Sequence, residues 1–183
     1  MPDLTLLGLC GSLRRESFNR KLMRAAVERF GPATFVDGNL RLPLLDVDVE
    51  TEQGIPAQVQ ELADQIARAD AVVIACPEYN KGLSGVMKNA LDWVSRTKGN
   101  PWRDKPVAIM SAAAGRAGGE RSQYSLRLCL NPFRPRVLPG PEVLVGNASE
   151  HFDAEGRLTN QRHLDQLDEL MGELRKIASA RRD

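Results

Sequence analysis

The chain has 183 residues, 42% of them hydrophobic and 27% charged, with a formal net charge of +1 from 25 basic and 24 acidic residues. These values predict one globular domain over residues 1–183, and they argue against a nucleic-acid-binding protein, which is normally clearly basic. No apolar run approaches the ~20 residues that span a bilayer and the N-terminus lacks a basic signal segment, so we expect a cytoplasmic protein without a membrane partner.

The first half of the chain alternates between predicted strands and helices. An apolar run at 4–10 predicts the first strand, and apolar positions at helical spacing predict a helix over about 18–30, which Gly31-Pro32 ends. A weak second strand follows at 34–37, residues 40–54 read as irregular, and Pro56 opens a helix through about 67.

The second half repeats this alternation. Residues 71–75, AVVIA, are apolar throughout, which is typical of a parallel strand covered on both faces. A helix over 84–94, with Ser84 as a possible N-cap, a fourth strand at 106–110 and a helix at 121–130 follow. A fifth strand at 137–145 is broken by two prolines, and the last predicted helix covers 164–178. Five strands alternating with five helices predict a doubly wound parallel sheet in a three-layer α/β/α fold.

Ligands of such folds bind at the carboxyl ends of the strands, so the loops after strands one, three and four are the candidate site. The first of these loops, GSLRRESFN at 11–19, has the chemistry of a phosphate site. It offers hydroxyl groups, a guanidinium group and the N-terminus of a helix; these come from Ser12, Ser17, Arg14 or Arg15, and the helix beginning near Phe18. The alternative is that Ser17 or Asn19 only caps the helix and the arginines are solvated.

Two nucleotide-binding motifs are absent from the sequence. Gly8 and Gly11 have the wrong spacing for the dinucleotide motif G-x-G-x-x-G, and no G-K-[ST] sequence of a Walker A loop occurs.

The second loop, CPEYNKGLSG at 76–85, contains a tyrosine that can stack on a planar ring. Gly82 and Gly85 leave room for close approach, although a turn in which Asn80 and Gly82 serve only geometry is about equally consistent. The third loop, SAAAGRAGGERSQ at 111–123, has only small residues before Gly115 and so leaves space for a flat group against the backbone, unless it is a flexible turn.

Together the three loops predict a site for a mononucleotide with a flat head, and flavin mononucleotide (FMN) fits this description. ATP fits poorly without a Walker lysine, and no paired acids are placed for magnesium. The two histidines, His151 and His163, have no metal-site spacing, so we expect no metal. Cys10 and Cys76 end apolar runs and are predicted to be buried thiols rather than catalytic groups.

Three segments in this order resemble the NADPH-dependent FMN reductase family, which has a flavodoxin-like fold and includes quinone, chromate and azo-dye reductases. They are GSLRRESFN, PEYNKGLSGVMKNALDW and SAAAGRAGGERSQYSLR, and the similarity extends over about 4–175. The resemblance implies that one set of residues binds FMN: Ser12, Arg14, Ser17, Phe18 and Asn19 at the phosphate, Pro77, Glu78, Tyr79 and Asn80 at the ribityl chain and ring, and Ser111 and Gly115 at the other ring edge. Residues 112–114 are alanines where relatives often carry hydroxyl groups or glycine, so only backbone contacts are expected there.

The resemblance also implies an activity: ping-pong hydride transfer from NADPH or NADH through FMN to a small acceptor such as a quinone, free flavin, azo compound or chromate. No side-chain acid or base is required for hydride transfer, and no catalytic residue is assigned. Arg116 is either a contact to the NADPH phosphate or a solvated cation. A homodimer or homotetramer is implied, often with the helix at Ser84 in the interface. The alternatives are a flavodoxin-type electron carrier and a flavin-binding sensor without rapid turnover.

Overall fold

A parallel β-sheet lies at the centre of the computed structural model, which describes residues 4–181. The strands are β1 (Thr5–Cys10), β2 (Thr34–Gly38), β3 (Ala71–Ala75), β4 (Glu78–Tyr79), β5 (Gly82–Leu83), β6 (Pro106–Ala112), β7 (Arg136–Val137) and β8 (Val143–Val145). In the main sheet the order is β2-β1-β3-β6, and β7 and β8 both pair with β6 to fill the fifth position. This order is that of the flavodoxin-like fold and confirms the predicted fold class.

Helices cover both faces of this sheet. They are α1 (Phe18–Phe30), α2 (Val47–Gln53), α3 (Ala57–Arg68), α4 (Gly85–Ser95), α5 (Glu120–Leu130) and α6 (Gln161–Ala180). Buried side chains of α1 and α6 form one core, whereas those of α3, α4 and α5 form the other. Along β3, Val73 belongs to the first core and Val72 and Ile74 to the second, which explains why the whole strand is apolar.

The fifth strand is divided as its prolines predict. Val107 is the partner of Val137, and Met110 is the partner of Val143. The segment between β7 and β8 therefore contains more residues than the stretch of β6 that it passes, and it leaves the ladder before joining it again. Pro139 and Pro141 lie in this segment, where neither needs to donate a ladder hydrogen bond.

Three elements differ from the prediction. The irregular assignment of 40–54 is wrong over α2, which the Asp46 carboxylate caps by accepting from the Asp48 amide at 3.0 Å. This helix buries none of its residues, so apolar spacing does not reveal it. The short hairpin of β4 and β5 was not predicted, and α6 begins at Gln161, where Asn160 is the N-cap.

None of the helices within residues 4–181 combines the length and the apolar character needed to cross a membrane.

A buried lysine joins the edge of the fold to a helix end. Lys105 is only 5% exposed, and its ammonium donates to the backbone oxygen of Ala67 at 3.0 Å and to that of Ala69, at the C-terminus of α3. Burial is the main cause that lowers the pKa of Lys105 from 10.5 to about 8; the nearby Arg181 lowers it further, and Asp70 opposes the shift.

This lysine makes the stability depend on pH. Between the folded pKa of about 8 and the unfolded value of 10.5, the unfolded chain binds more protons at this site, so the Lys105 contribution to stability rises with pH. We expect the difference in free energy of unfolding between wild type and Lys105→Met to increase across this interval in denaturant titrations. Lys98→Met removes an exposed lysine and should give a constant difference. A constant difference for Lys105→Met as well would contradict the assignment.

Candidate functional site

The three loops selected from the sequence meet at the carboxyl edge of the sheet. β1 and β3 are neighbours, and the chain leaves β1 toward α1 on one face and β3 toward α4 on the other, which makes this edge the switch point of the strand order. A cavity of about 240 Å³ opens between the loops. This inter-loop cavity is lined by Ser12, Arg14, Ser17, Phe18, Asn19, Pro77, Glu78, Tyr79, Ala112, Ala113 and Ala114.

The first loop presents hydroxyl groups and a helix N-terminus to this cavity. Ser12 and Ser17 are each only 3% exposed, and Ser17 is the N-cap of α1, with its Oγ accepting from the Arg20 amide at 3.4 Å. The helix cap considered from the sequence is therefore present. It uses only an oxygen lone pair, so the Ser17 hydroxyl hydrogen can still be donated to an anion. Helix geometry also leaves the first amides of α1 without intrahelical acceptors.

Asn19 holds the first loop against the third. Its Nδ2 donates to the Ala112 oxygen at 2.7 Å, and its Oδ1 accepts from the Ala112 amide at 3.0 Å. The residue is 3% exposed, so both bonds are shielded from water. The side chain thus completes the backbone hydrogen bonding at the end of β6 and fixes the N-terminus of α1 beside it.

The second loop is a small hairpin with a tight turn. Asn80 and Lys81 have φ angles of 49° and 65°, as the two central residues of a type I′ turn require. The turn exposes the neighbouring Tyr79 to 50% at the rim of the inter-loop cavity. Glu78 accepts from the Arg121 amide at 3.1 Å and so places a carboxylate at the N-terminus of α5.

The third loop owes its path to two glycines. Gly118 and Gly119 have φ angles of 63° and 90°, and a Cβ on Gly118 would lie 2.6 Å from the carbonyl carbon of Leu144. Ser111, fully buried, donates to the Gly118 oxygen at 2.7 Å and so fixes the loop from below. The side chains of Ala112–Ala114 then form one wall of the inter-loop cavity, which leaves that wall free of bulky groups.

Eight of the eleven residues predicted to bind cofactor line this cavity, and three do not: Asn80, Ser111 and Gly115. Asn80 lies in the exposed hairpin turn, the Ser111 hydroxyl is engaged inside the fold, and Gly115 has open space around its Cα.

Two buried polar residues of α5 support the site and were missed. Gln123 donates to Ser111 Oγ at 2.9 Å and to the Val143 oxygen at 3.0 Å, and Ser122 donates to the Cys76 oxygen at 2.9 Å. Both residues are fully buried. Polar residues in an amphipathic helix are normally assigned to solvent, so only the register of α5 against the loops reveals them.

Cys10 and Cys76 have the environments of structural residues. Cys10 and Cys76 are buried, as predicted, and burial raises the pKa of Cys10 and that of Cys76 to about 11, which keeps both thiols protonated. His151 and His163 are separated in the sequence but lie close together in the fold, with their ring centroids 5.3 Å apart. The part of the chain from 4 to 181 has no group of three or more His, Cys, Asp or Glu placed to hold a metal ion.

The donor set suits a mononucleotide. Buried hydroxyls, a guanidinium and a helix N-terminus line the inter-loop cavity together with Tyr79 and the small side chains of Ala112–Ala114. The strand order and this edge define a flavodoxin-like α/β protein.

Comparison with known proteins narrows this class. Residues 4–150 match the model of the NADPH-dependent FMN reductase family. An NAD(P)H-dependent FMN reductase of Pseudomonas aeruginosa is 40% identical over 162 residues, covering 87% of each chain. A quinone reductase of Escherichia coli K12 is 40% identical over 169 residues, covering 90% of this chain and 89% of the relative. Among solved structures, the flavoenzyme FerB, an NAD(P)H:(acceptor) oxidoreductase of Paracoccus denitrificans, is 28% identical with a TM-score of 0.86, covering 97% of this chain and 98% of FerB.

The chain therefore belongs to the NADPH-dependent FMN reductase family, as the sequence motifs indicated. It is an oxidoreductase of that family, with the flavin and NAD(P)H use that the family implies.

The glycine geometry of the third loop is directly testable. Gly118→Ala is expected to lower the free energy of unfolding by about 1–3 kcal/mol, because the new Cβ meets backbone and the residue must keep a positive φ. Gly115→Ala is the matched control in the same loop, since a Cβ there meets no atom within 4 Å. Equal stability of the two variants in urea titrations would show that the loop adapts freely.

Proposed function

We propose that the protein transfers hydride from NADPH or NADH, through bound FMN, to small acceptors such as quinones, free flavin, azo compounds or metal oxyanions. The observation that carries this proposal is the inter-loop cavity, where the hydroxyl and guanidinium donors of the first loop lie beside a wall of small residues at the switch point. The family membership supports the same activity.

In this proposal the phosphate of FMN is held by the first loop. Ser12 and Ser17 donate their hydroxyl hydrogens, Arg14 supplies a guanidinium fork, and the amides at Phe18 and Asn19 contribute the positive end of α1. The Asn19 side chain is occupied by Ala112, so we assign to it the positioning of these donors together with its backbone contact.

The ring and ribityl chain are assigned to the other two loops. Pro77, Glu78 and Tyr79 line one side, and the alanine wall lines the other. Asn80 and Gly115 remain predicted contacts, and Ser111 acts by holding the loop from inside the fold. The bound flavin supplies the hydride chemistry, while the protein contributes binding, orientation and electrostatics.

The openness of the site supports ping-pong turnover. Tyr79 is half exposed and Ala114 is exposed among the lining residues, so the same opening can admit NAD(P)H and then, after the oxidised nicotinamide leaves, the acceptor. An open site of this kind favours acceptors that differ widely in shape.

An electron carrier of the flavodoxin type is disfavoured by charge. A carrier steered by an acidic face would be strongly negative, whereas the net charge of this chain is +1. A flavin-binding sensor would share the same cavity and differ only in its slow turnover.

An exposed apolar strip supports the predicted homodimer or homotetramer. Tyr124 and Leu128, four residues apart on α5, are 50% and 74% exposed, and a second copy of the chain would cover them. The exposed side of α4, also considered for the interface, carries the ion pair of Lys88 with Asp92. The cytoplasmic location stays a prediction from the sequence.

The activity is tested by anaerobic titration of the flavin-loaded protein with NADPH and NADH. We expect the absorbance of the oxidised flavin to be lost after about one equivalent of nicotinamide per flavin, and to return when a quinone is added. Flavin that stays oxidised would contradict the reductase, and reduction followed by slow turnover with every acceptor would support the sensor.

The phosphate assignment is tested by Arg14→Ala combined with Ser17→Ala. Loss of a charge-assisted and a neutral hydrogen bond is expected to weaken FMN binding by about 2–5 kcal/mol, at least ~30-fold in Kd, measured by flavin fluorescence. The control is Arg68→Ala, which removes an exposed arginine at the end of α3. Unchanged FMN affinity in the double variant would mean that the loop only caps α1.

A further inference from the structure

A second and larger cavity lies on the other side of the first loop. This arginine cavity, about 510 Å³, opens between that loop, α1 and the segment after β2, and it contains Arg14, Arg15, Arg20, Arg24 and Arg41. Its only carboxylate among the described residues is that of Asp37 at the end of β2, which Arg20 binds at 2.6 Å. The cavity therefore carries an excess of four positive charges, although the whole chain carries only +1.

Most of this charge is not used within the fold. Arg41 donates to the Leu13 oxygen at 3.1 Å and thereby holds the segment after β2 to the first loop. Arg14, Arg15 and Arg24 form no ion pair with any residue in the 4–181 range, and all three are exposed. Concentrating unpaired guanidinium groups in one concave space costs electrostatic repulsion, which an anion relieves when it binds.

The arrangement of the arginines around a cavity points to a compact ligand group with more than one negative charge. A polyanion such as a nucleic acid is contacted by basic groups spread along an open face, whereas these arginines surround a cavity. Guanidinium forks match phosphate oxygens in pairs, so a terminal phosphate can engage two of them at once. The ion pair of Arg20 with Asp37 also removes the one charge that would repel such a group.

The arginine cavity shares a lining residue with the inter-loop cavity, the proposed FMN site. Arg14 lines both cavities, so it lies between the site of the flavin phosphate and the remaining arginines. An extended dinucleotide whose nicotinamide reaches the inter-loop cavity can therefore place its far end among the arginines. NADPH and NADH differ only in the 2′-phosphate at that far end.

We propose that the arginine cavity binds the adenosine 2′-phosphate of NADPH and gives the enzyme its preference for NADPH over NADH. The role of this site in choosing between nicotinamides rests on the proposed function. The binding of a phosphate group by the arginines does not depend on that function. It assigns a role to Arg15, which the FMN site leaves without one, and adds Arg24.

The test is the double variant Arg15→Gln/Arg24→Gln, assayed with each nicotinamide in the flavin-loaded enzyme. We expect kcat/KM for NADPH to fall ~10- to 100-fold through KM, while that for NADH changes less than about twofold. The charge-matched control, Arg68→Gln/Arg103→Gln, removes two exposed arginines elsewhere and should change neither value. An equal fall with both nicotinamides, or no fall with NADPH, would overturn the proposal.

Two further measurements separate this site from the other phosphate sites. The Kd for FMN should be unchanged in Arg15→Gln/Arg24→Gln, and a rise that matches the NADPH effect would return these arginines to the flavin phosphate and overturn the proposal. Arg116→Gln tests another cavity that contains arginines, where Arg116 lies with Arg162. A loss of NADPH selectivity in that variant alone would also overturn it.

Direct binding keeps the inference independent of turnover. Adenosine 2′,5′-bisphosphate should bind the wild-type protein more tightly than 5′-AMP in calorimetry, and the difference should disappear in Arg15→Gln/Arg24→Gln. If the wild type oxidises neither nicotinamide, the proposed function fails while this titration still tests the arginine cavity. Equal binding of the two nucleotides to wild type would overturn the site itself.

Discussion

The pair of hydrogen bonds between Asn19 and the backbone of Ala112 is the contact on which the site depends. It spans 93 positions of sequence and joins the first turn of α1 to the end of β6. Both bonds are buried, so breaking them would leave peptide groups without water to replace the lost partner. These bonds fix the position of the first loop and its donors relative to the wall formed by the third loop.

Buried hydrogen bonds from side chains of α5 also join the loops of the site to each other. Ser122 binds the Cys76 oxygen, and Gln123 binds both Ser111 and the Val143 oxygen, so the second and third loops and the fifth strand are joined through α5. Side chains that contact no ligand thus supply the rigidity of a site made of loops. This arrangement suits an enzyme whose chemistry belongs to a bound cofactor, because precise placement is what the protein has to contribute.

Sequence patterns predicted the fold because its strands are short apolar runs separated by strong turn residues. They located the three loops, since parallel strands end at one edge and polar residues cluster there. They could not distinguish a side chain that lines the cavity from one that is bonded inside the fold: Ser12 and Ser111 both belong to predicted site loops, yet Ser12 lines the cavity and the Ser111 hydroxyl donates to Gly118 inside the fold. Helix α2 escaped detection because it buries nothing and is defined only by its capping aspartate.

The divided fifth strand has a consequence for how the protein tolerates change. β7 and β8 are each held to β6 in their own register. Between them, the Leu138 amide still donates to the Val107 oxygen at 2.9 Å, and residues 139–142 have no strand pairing. Extra or missing residues at 139–142 would therefore be absorbed locally, without sliding β8 against Ser111 and Ala112. This stretch is a natural insertion point, where a tag, a sensor peptide or an evolutionary addition can enter beside the working edge of the sheet while the spacing of that edge is preserved.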